Sequence, residues 1–494
     1  TPDAPLRVAL LGPGATRPRV QGGGSSEVFP VRVSTPAEAL AAEPGIHLTV
    51  VDGTASDRVE PFEADELRAP DGTVGAVRAR LFDGDGAVLS DERRETARVI
   101  WLGDLPDAAR RLEIEFDVVP PHSGLLRLGI DVPAAGTLSI DGVPVAAADG
   151  GARVEGAHIA HTDPLGVAID VVAGRAIRVR VSAEAPEDLP LRILDVRLGR
   201  AYAVDPASAL EAAVAAAREA DVAIVCVGTP AGGESEGHDR TDLTLPPEQD
   251  ALVAAVLAAH PRTVVVVAAG APVEMPWRHD AAAVLLTWFG GQELGAALAD
   301  VLLGREEPGG RLPTTWPARL EDAPVSDVVP RDGILSYREG LNIGYRAWAT
   351  ADAAPAYPFG HGLGYTAWAL GAVRVEEGRD RLFLVADLTN TGRRRGRHVL
   401  QVYLSRGESA VHRPPLWLAA FAAVEADAGV RSTVRIEIPP RAFAHWSPAA
   451  GAWTTEPGEF TVSLGFSADD VRWSGRVQPL VGASLGSIVT GAGA

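Results

Sequence analysis

The sequence contains no lysine, and this absence excludes several classes of chemistry. All 45 basic residues among its 494 residues are arginines. Schiff-base catalysis needs a lysine amine and the phosphate-binding P-loop needs a lysine ammonium group, so neither mechanism has a residue to carry it. The glycine-rich stretches GPGATR (12–17) and GGGSS (22–26) also miss the spacing of dinucleotide-binding and P-loop motifs. We therefore expect that the protein uses no cofactor.

Cysteine is almost as scarce, because Cys226 is the only one. A single cysteine cannot form a disulfide within the chain. Cys226 lies in the apolar run DVAIVCVG (221–228), which is typical of a small buried residue rather than of a nucleophile. No group of His, Cys and Asp residues has metal-ligand spacing, and no G-x-S-x-G motif is present. We expect neither a metal site nor the nucleophilic serine of α/β-hydrolases.

Long apolar runs and long basic runs are both missing. No apolar run approaches the roughly 18 residues of a membrane span, and no segment resembles a signal peptide, which together favour a cytoplasmic location. The 45 basic residues face 65 acidic ones, giving a net charge of −20. This balance argues against nucleic acid or an anionic membrane as partner, and a neutral ligand fits better. The only methionine is Met275, so Thr1 is not a translation start and we expect a longer protein.

The length predicts two to four domains, and changes in the pattern of predicted strands and helices along the chain indicate where they divide. The start of a parallel α/β unit is indicated by a strand LRVALL (6–11), a helix capped by Ser34 or Thr35, and a second strand IHLTVV (46–51). Short alternating runs without helical period then indicate an all-β sandwich inserted into it. The predicted pieces are an α/β first segment at 1–57, a β-sandwich insert at 58–200, an α/β second segment at 201–366, a second β-sandwich at 367–481 and a poorly ordered tail at 482–494.

Two glutamates, Glu234 and Glu236, lie in the stretch GGESEGHDR (232–240) directly after the apolar run that contains Cys226. Ligands of open α/β sheets bind at the carboxyl ends of the strands, and the glycines would let a loop carry a carboxylate towards a substrate. The local sequence alone favours a plainer interpretation, in which both glutamates are solvated and Asp239 and Arg240 form a surface ion pair.

Four longer stretches carry a more specific signal, and together they resemble the C-terminal part of glycoside hydrolase family 3, the β-glucosidases and their relatives. The resemblance covers almost the whole chain in order, and it implies a flavodoxin-like α/β sandwich, an inserted protective-antigen-type β-sandwich and a fibronectin type III-like domain. The stretches are ADVAIVCVG with GESEGHDRTDLTLPPEQDALV (220–253), GGRLPTTWP (309–317), NIGYRAWATADAAPAYPFGHGLGYT (342–366) and VHRPPLWLAAF (411–421).

The resemblance also implies a mechanism. Members of this family are retaining enzymes whose carboxylate nucleophile comes from an N-terminal (β/α)8 barrel and whose acid/base glutamate comes from a loop of the α/β sandwich. By the motif E-G-x-D-R, Glu236 corresponds to the general acid/base, and Glu234 is the less favoured alternative. Such a group must protonate the leaving oxygen and then activate water. His238 or Arg240 would hold the loop in place.

The sequence departs from the family because it contains no barrel. The family's nucleophile usually lies in an S-D-W motif. The nearest stretches in this sequence are SDE (90–92) and SDV (326–328), and neither is a credible site for the nucleophile. This chain would then supply half of an active site for terminal β-linked sugars, and its expected partners are a β-glycoside, a barrel that precedes Thr1 or forms a separate chain, and possible further copies of itself. The alternative is a non-catalytic carbohydrate-binding or assembly protein that lacks the barrel.

The inserted sandwich resembles modules that lie beside the active-site rim of relatives and limit substrate length. Its turn IDG (140–142) matches the motif of that fold, although an ordinary hairpin turn explains it equally well. Trp101 and His122 are expected to be exposed and are candidates for an outer sugar subsite.

Overall fold

The computed structural model describes residues 5–23, 28, 30–54, 59–102, 105–132, 134–148, 165–185, 193–202, 204–230, 233–234, 240–325, 329–379 and 381–480. The predicted tail at 482–494 lies outside this part of the chain. No helix among these residues is long and apolar enough to cross a membrane.

The chain begins with a strand, a helix and a second strand, namely β1 (Leu6–Leu11), α1 (Pro36–Ala41) and β2 (Ile46–Val51). The two strands are parallel neighbours. Thr35 caps the helix, because its hydroxyl accepts the Glu38 N–H at 3.1 Å while the Glu38 carboxylate accepts the Thr35 N–H at 3.0 Å. Of the two predicted caps, Thr35 is therefore the one that the fold uses.

A run of short antiparallel strands follows and forms the two sheets of the insert. One sheet has the order β11-β10-β13-β8-β5-β6 with β4 beside β8, and the other has the order β12-β9-β14-β3 with β7 beside β14. The strands are β3 (Glu60–Pro61), β4 (Leu67–Arg68), β5 (Val77–Phe82), β6 (Val88–Arg94), β7 (Arg98–Leu102), β8 (Arg111–Val118), β9 (Gly124–Asp131), β10 (Gly136–Ile140), β11 (Val143–Ala148), β12 (Leu165–Val171), β13 (Ile177–Glu184) and β14 (Ile193–Tyr202).

One apolar core lies between these sheets, and it corrects one of the predicted sugar contacts. Trp101 of β7 is buried in this core together with Phe116 of β8, so the interpretation of Trp101 as an exposed sugar contact is wrong. Alternate side chains of a sandwich strand point inward, and Trp101 occupies an inward position. His122 is exposed beside Tyr202, with ring centroids 5.9 Å apart, and stays a candidate.

The two ends of the insert are tied together by a buried acid. Glu66, only 3% exposed, accepts hydrogen bonds from Arg200 Nε at 3.0 Å and from the Tyr202 hydroxyl at 3.2 Å. It also accepts the N–H of Glu63 at 2.9 Å. Glu63 and Glu66 lie where the chain enters the insert. Arg200 and Tyr202 lie where it leaves the insert. The Glu66 carboxylate therefore joins the entering and the leaving segments.

The second α/β segment completes the sheet that β1 and β2 began. Its elements are α2 (Pro206–Glu219), β15 (Val222–Gly228), α3 (Pro247–Ala259), β16 (Thr263–Ala268), β17 (Ala283–Leu286), α4 (Leu294–Leu302) and the short α5 (Tyr345–Trp348). The five strands are parallel in the order β17-β16-β15-β1-β2. Helices α2 and α3 pack on one face of this sheet, and α1 and α4 pack on the other. The α/β sandwich interrupted by a β-sandwich is thus confirmed.

The last part of the chain is a second β-sandwich. Its sheets have the orders β18-β19-β22 and β21-β20-β25-β26, and β23 and β24 form a separate hairpin. The strands are β18 (Trp368–Glu377), β19 (Leu382–Asn390), β20 (Gly396–Ser405), β21 (Trp417–Ala426), β22 (Arg431–Ile438), β23 (Ala444–Ser447), β24 (Ala452–Thr455), β25 (Phe460–Gly465) and β26 (Val471–Val477). The domain boundaries stay predictions, and β14 runs to Tyr202, just past the predicted boundary at residue 200.

A buried histidine lies where this sandwich meets the α/β part of the chain. His398 of β20 accepts a hydrogen bond from Arg311 through Nδ1 at 3.0 Å, and its ring contacts Phe466 with centroids 4.1 Å apart. Burial first, and the neighbouring Arg311 charge second, lower the pKa of His398 to about 4. The imidazole is therefore neutral when the two parts of the chain are packed together.

We expect Glu66→Ala to destabilise the chain by about 3 kcal/mol, because it removes the buried acceptor of the Arg200 and Tyr202 hydrogen bonds and leaves the Arg200 side chain, 15% exposed, without its counter-charge. Urea unfolding of the wild type and the variant measures the difference. Glu459→Ala is the control, since Glu459 and Arg476 form an ion pair on the surface, with side chains 50% and 76% exposed. Equal losses in the two variants would contradict the role of Glu66.

The histidine makes stability depend on pH. Because the pKa of His398 in the folded chain lies below its ordinary value, its contribution is complete above about pH 6.5 and is lost as the pH falls towards 4. At pH 4 this loss amounts to about 3 kcal/mol. His398→Asn should therefore lose less stability than the wild type between pH 7 and pH 4, as measured by urea unfolding. His412 is exposed, so His412→Asn should lose as much stability as the wild type over this pH range. A His398→Asn profile parallel to that of the wild type would refute the assignment.

Candidate active site

The carboxyl end of β15 is fixed by a glutamine from the following helix. Gln249 Oε1 accepts the Gly228 N–H at 2.8 Å, and Gln249 Nε2 donates to the Gly228 carbonyl at 3.1 Å. Gln249 is itself buried in α3. Both backbone groups of Gly228 are therefore held in place at the point where the strand ends and the predicted active-site loop begins.

An arginine from the loop after β1 holds the first turn of the active-site loop. Arg19 donates to the carbonyl of Pro230 and, at 2.5 Å, to the carbonyl of Glu234. The N–H of Gly23 donates to the same Glu234 carbonyl at 3.1 Å. The Arg19 guanidinium also lies over the ring of Phe289, 5.0 Å from its centroid. Segments that follow β1, β15 and β17 therefore meet at one edge of the sheet.

The side chain of Glu234 points back into this edge. Its two carboxylate oxygens accept the Gly270 N–H at 3.0 and 3.2 Å, and its side chain is only 12% exposed. Gly270 follows β16, and a Cβ atom there would lie 2.5 Å from Glu234 Oε2 and 2.6 Å from Phe289 Cε2. A side chain at position 270 would displace the Glu234 carboxylate or the Phe289 ring, and glycine leaves room for both.

Arg240 closes the far end of the loop. Its guanidinium lies 3.8 Å from Glu234 Oε1 and donates to the Pro272 carbonyl at 3.2 Å, and its side chain is 16% exposed. The interpretation of Glu234 and Arg240 as solvated surface charges is therefore wrong, because both are packed against the sheet edge. Glu236, His238 and Asp239 lie outside the described residues. The two described residues that flank this segment, Glu234 and Arg240, form the ion pair given above.

Sequence reasoning found the loop but missed three of the residues that hold it, Arg19, Gln249 and Gly270. Arg19 and Gly270 follow strands of the parallel sheet, so the rule that loops converge at the carboxyl ends of strands could have indicated them. Phe289 follows β17 and lies beside Arg19, so the same rule could have indicated it as well. Cys226 is buried in the middle of β15, and burial raises the pKa of its thiol to about 12. Within the described ranges no three His, Cys, Asp or Glu side chains are grouped to hold a metal ion.

Comparison with known proteins identifies the family of the chain. Residues 2–365 match the glycosyl hydrolase family 3 C-terminal domain, and residues 398–468 match a fibronectin type III-like domain. The chain is 33% identical over 488 residues to a β-glucosidase of Rhizobium radiobacter, with 95% of this chain and 58% of the relative covered. It is 32% identical over 498 residues to the probable β-glucosidase K of Emericella nidulans, again with 95% of this chain and 58% of the relative covered.

A solved structure gives the same result for the fold. The crystal structure of the β-glucosidase of Kluyveromyces marxianus in complex with glucose superimposes with a TM-score of 0.85 and 27% identity, covering 95% of this chain and 58% of that one. The chain thus spans about three fifths of the length of these relatives. The predicted resemblance and fold class are confirmed, and the chain belongs to glycosyl hydrolase family 3, to whose C-terminal α/β domain and fibronectin type III-like domain it corresponds.

Proposed function

We propose that this chain supplies the general acid/base of a retaining β-glucosidase that hydrolyses terminal β-linked sugars. The observation that carries the proposal is the double anchoring of the segment between Glu234 and Arg240 at the carboxyl edge of the sheet. The β-glucosidases among its relatives support glycosides as the substrate class. The nucleophile is proposed to come from an N-terminal (β/α)8 barrel in the remaining length of the protein.

Glu236 is the proposed acid/base, and the contacts of Glu234 support this choice. Both oxygens of Glu234 are used as acceptors from the backbone of Gly270, and Arg240 lies beside them. A group in this position serves to fix two loops, whereas an acid/base must reach the glycosidic oxygen and exchange its proton with it. We therefore assign Glu234 a positioning role and Glu236 the chemistry.

In this proposal the chemistry follows the two steps of a retaining glycosidase. Glu236 protonates the leaving oxygen while the nucleophile attacks the anomeric carbon, and then removes a proton from the water that releases the sugar. The two carboxyl groups of a retaining site lie about 5 to 5.5 Å apart. A loop fixed at both ends can maintain such a distance, since a misplacement of about 1 Å can cost roughly a hundredfold in rate.

The first test separates the two glutamates in the complete protein. Glu236→Ala should reduce kcat/KM by roughly 100-fold to 10,000-fold for alkyl glucosides and disaccharides, whose leaving groups need a proton. It should affect nitrophenyl glucoside less, and azide should restore turnover of this activated substrate because azide attacks without losing a proton. Steady-state kinetics on both substrate types, with and without azide, measure these effects.

Glu234→Ala is the matched control. Loss of a positioning residue should lower the rate for both substrate types by the same factor, without rescue by azide. An exchange of these behaviours between the two variants would assign the acid/base to Glu234. If neither variant showed them, the acid/base would lie elsewhere. A complete protein that binds sugars without turnover would favour the carbohydrate-binding alternative.

The second test concerns the anchor at Gly270. Gly270→Ala should push the Glu234 carboxylate away and lower kcat of the complete protein by roughly 10-fold to 100-fold on both substrate types. Gly310→Ala is the control, because a Cβ atom at Gly310 would meet nothing within 4 Å. Unchanged kinetics of a correctly folded Gly270→Ala enzyme would show that the anchor does not position the catalytic group.

A further inference from the structure

The guanidinium of Arg19 binds a backbone carbonyl through each of its three nitrogens. Nε donates to the Gln21 carbonyl at 3.1 Å, within the loop after β1. Nη1 donates to the Pro230 carbonyl and Nη2 to the Glu234 carbonyl, both in the loop after β15. The donors of a planar guanidinium have a fixed arrangement, so one side chain sets the positions of three carbonyls relative to each other. A lysine ammonium group is a compact point charge and cannot reproduce this arrangement.

Phe289 provides the surface on which this guanidinium lies. The guanidinium carbon of Arg19 is 5.0 Å from the centroid of the Phe289 ring, a distance at which the ring attracts the cation. The same ring also approaches Gly270, because a Cβ atom there would lie 2.6 Å from Phe289 Cε2. Phe289 therefore contacts both the residue that binds the Glu234 carbonyl and the residue that binds the Glu234 carboxylate.

The residue before Phe289 has an unusual backbone conformation. Trp288 has a φ of 52°, in the left-handed region that bulky residues rarely adopt. Its side chain packs against Trp316, which is 1% exposed, with ring centroids 6.2 Å apart. A conformation of this kind persists only where the surrounding structure holds it, and such positions cluster at functional sites. The packing of Trp288 against the core therefore fixes the backbone that places Phe289 beside Arg19.

Residues 288–292, which we call the crossing segment, join two loops that belong to distant strands. In the sheet, β17 and β1 are separated by β16 and β15. Even so, the Gly291 N–H donates to the Val20 carbonyl at 3.0 Å, and the Gln292 carbonyl accepts the Ser34 N–H at 2.7 Å. The crossing segment therefore runs from the end of β17 to the loop that carries Arg19 and is bonded to that loop by its backbone.

We propose that Arg19 is a positioning residue for catalysis and that the crossing segment is its support. The proposal rests on the proposed function, in which the loop after β15 carries the acid/base. Arg19 acts through that loop and not on the substrate, because it fixes the carbonyls of Pro230 and Glu234. A misplacement of about 1 Å can cost roughly a hundredfold in rate, so loss of Arg19 should lower kcat while KM changes little.

Kinetics of the complete protein test this role. Arg19→Ala should lower kcat by about 10-fold to 100-fold on alkyl and nitrophenyl glucosides alike. Added guanidinium, at concentrations far below those that unfold the protein, should restore much of this loss, because the free ion can bind the same carbonyls on the Phe289 ring. Arg19→Lys should remain slow, since lysine keeps the charge and loses the arrangement of donors.

Two further variants complete the kinetic test. Arg17→Ala is the matched control, because Arg17 lies in the same loop and pairs with Asp52 while its side chain is 48% exposed. Its kcat should equal that of the wild type. The double variant Arg19→Ala with Phe289→Leu keeps an apolar side chain at position 289 and removes the ring, so guanidinium should not restore its kcat.

Hydrogen exchange of this chain alone is a measurement that needs no glycosidase activity. The Gly23 N–H donates to the Glu234 carbonyl and the Gly270 N–H to the Glu234 carboxylate. Peptides that contain these two amides should exchange faster by about tenfold or more in Arg19→Ala, and at the wild-type rate in Arg17→Ala. Mass spectrometry of the peptides measures both rates.

Unchanged exchange or unchanged kcat in Arg19→Ala would overturn the proposal. A loss of kcat that Arg19→Lys escapes, or that guanidinium does not restore, would contradict the role of the guanidinium group. If the complete wild-type protein hydrolysed no glucoside, the proposed function would fail, and the exchange rates would still decide whether Arg19 holds the loop.

Discussion

The pairing of β1 with β15 is the contact on which the rest of the structure depends. These parallel strands are separated in sequence by the whole inserted sandwich, yet Val8 pairs with Val222 and Leu11 with Val225. At their amino ends Arg7 and Asp221 form an ion pair of 2.8 Å, which holds the pKa of Asp221 near 2. At their carboxyl ends the strands approach so closely that a Cβ atom on Gly12 would lie 2.3 Å from the Cys226 carbonyl oxygen.

The pairing of β1 with β15 places the loop after β1 beside the loop after β15. The candidate active site depends on that proximity. Arg19 reaches carbonyls of the loop after β15 only because β1 and β15 are neighbours. Gly270, at the end of the next strand, receives the Glu234 carboxylate from the other side. Each contact uses a backbone group at one partner, so the loop is held by chain geometry more than by side-chain packing.

Polar contacts also join the three parts of the chain. The insert leaves and re-enters through the crossing that Glu66 and Arg200 fix. The chain after α4 is held by Glu274, whose carboxylate accepts the Leu320 N–H, and it reaches the second sandwich through Tyr345. His398 and Arg311 complete the packing of that sandwich against the α/β part. Contacts between segments far apart in the sequence therefore hold the parts of the chain together.

The sequence by itself determined the strands and helices, the interruption of the α/β domain, the family and the position of the loop that contains Glu234, since periodicity and motifs are local properties. It indicated Trp101 as exposed and Glu234 and Arg240 as solvated, and the structure corrects these points because burial depends on which strands face each other. Only the tertiary structure brought Arg19 to the Glu234 carbonyl and Gly270 to the Glu234 carboxylate. Contacts between residues hundreds of positions apart leave no periodic signal in one sequence, so they appear only when the sheet is assembled.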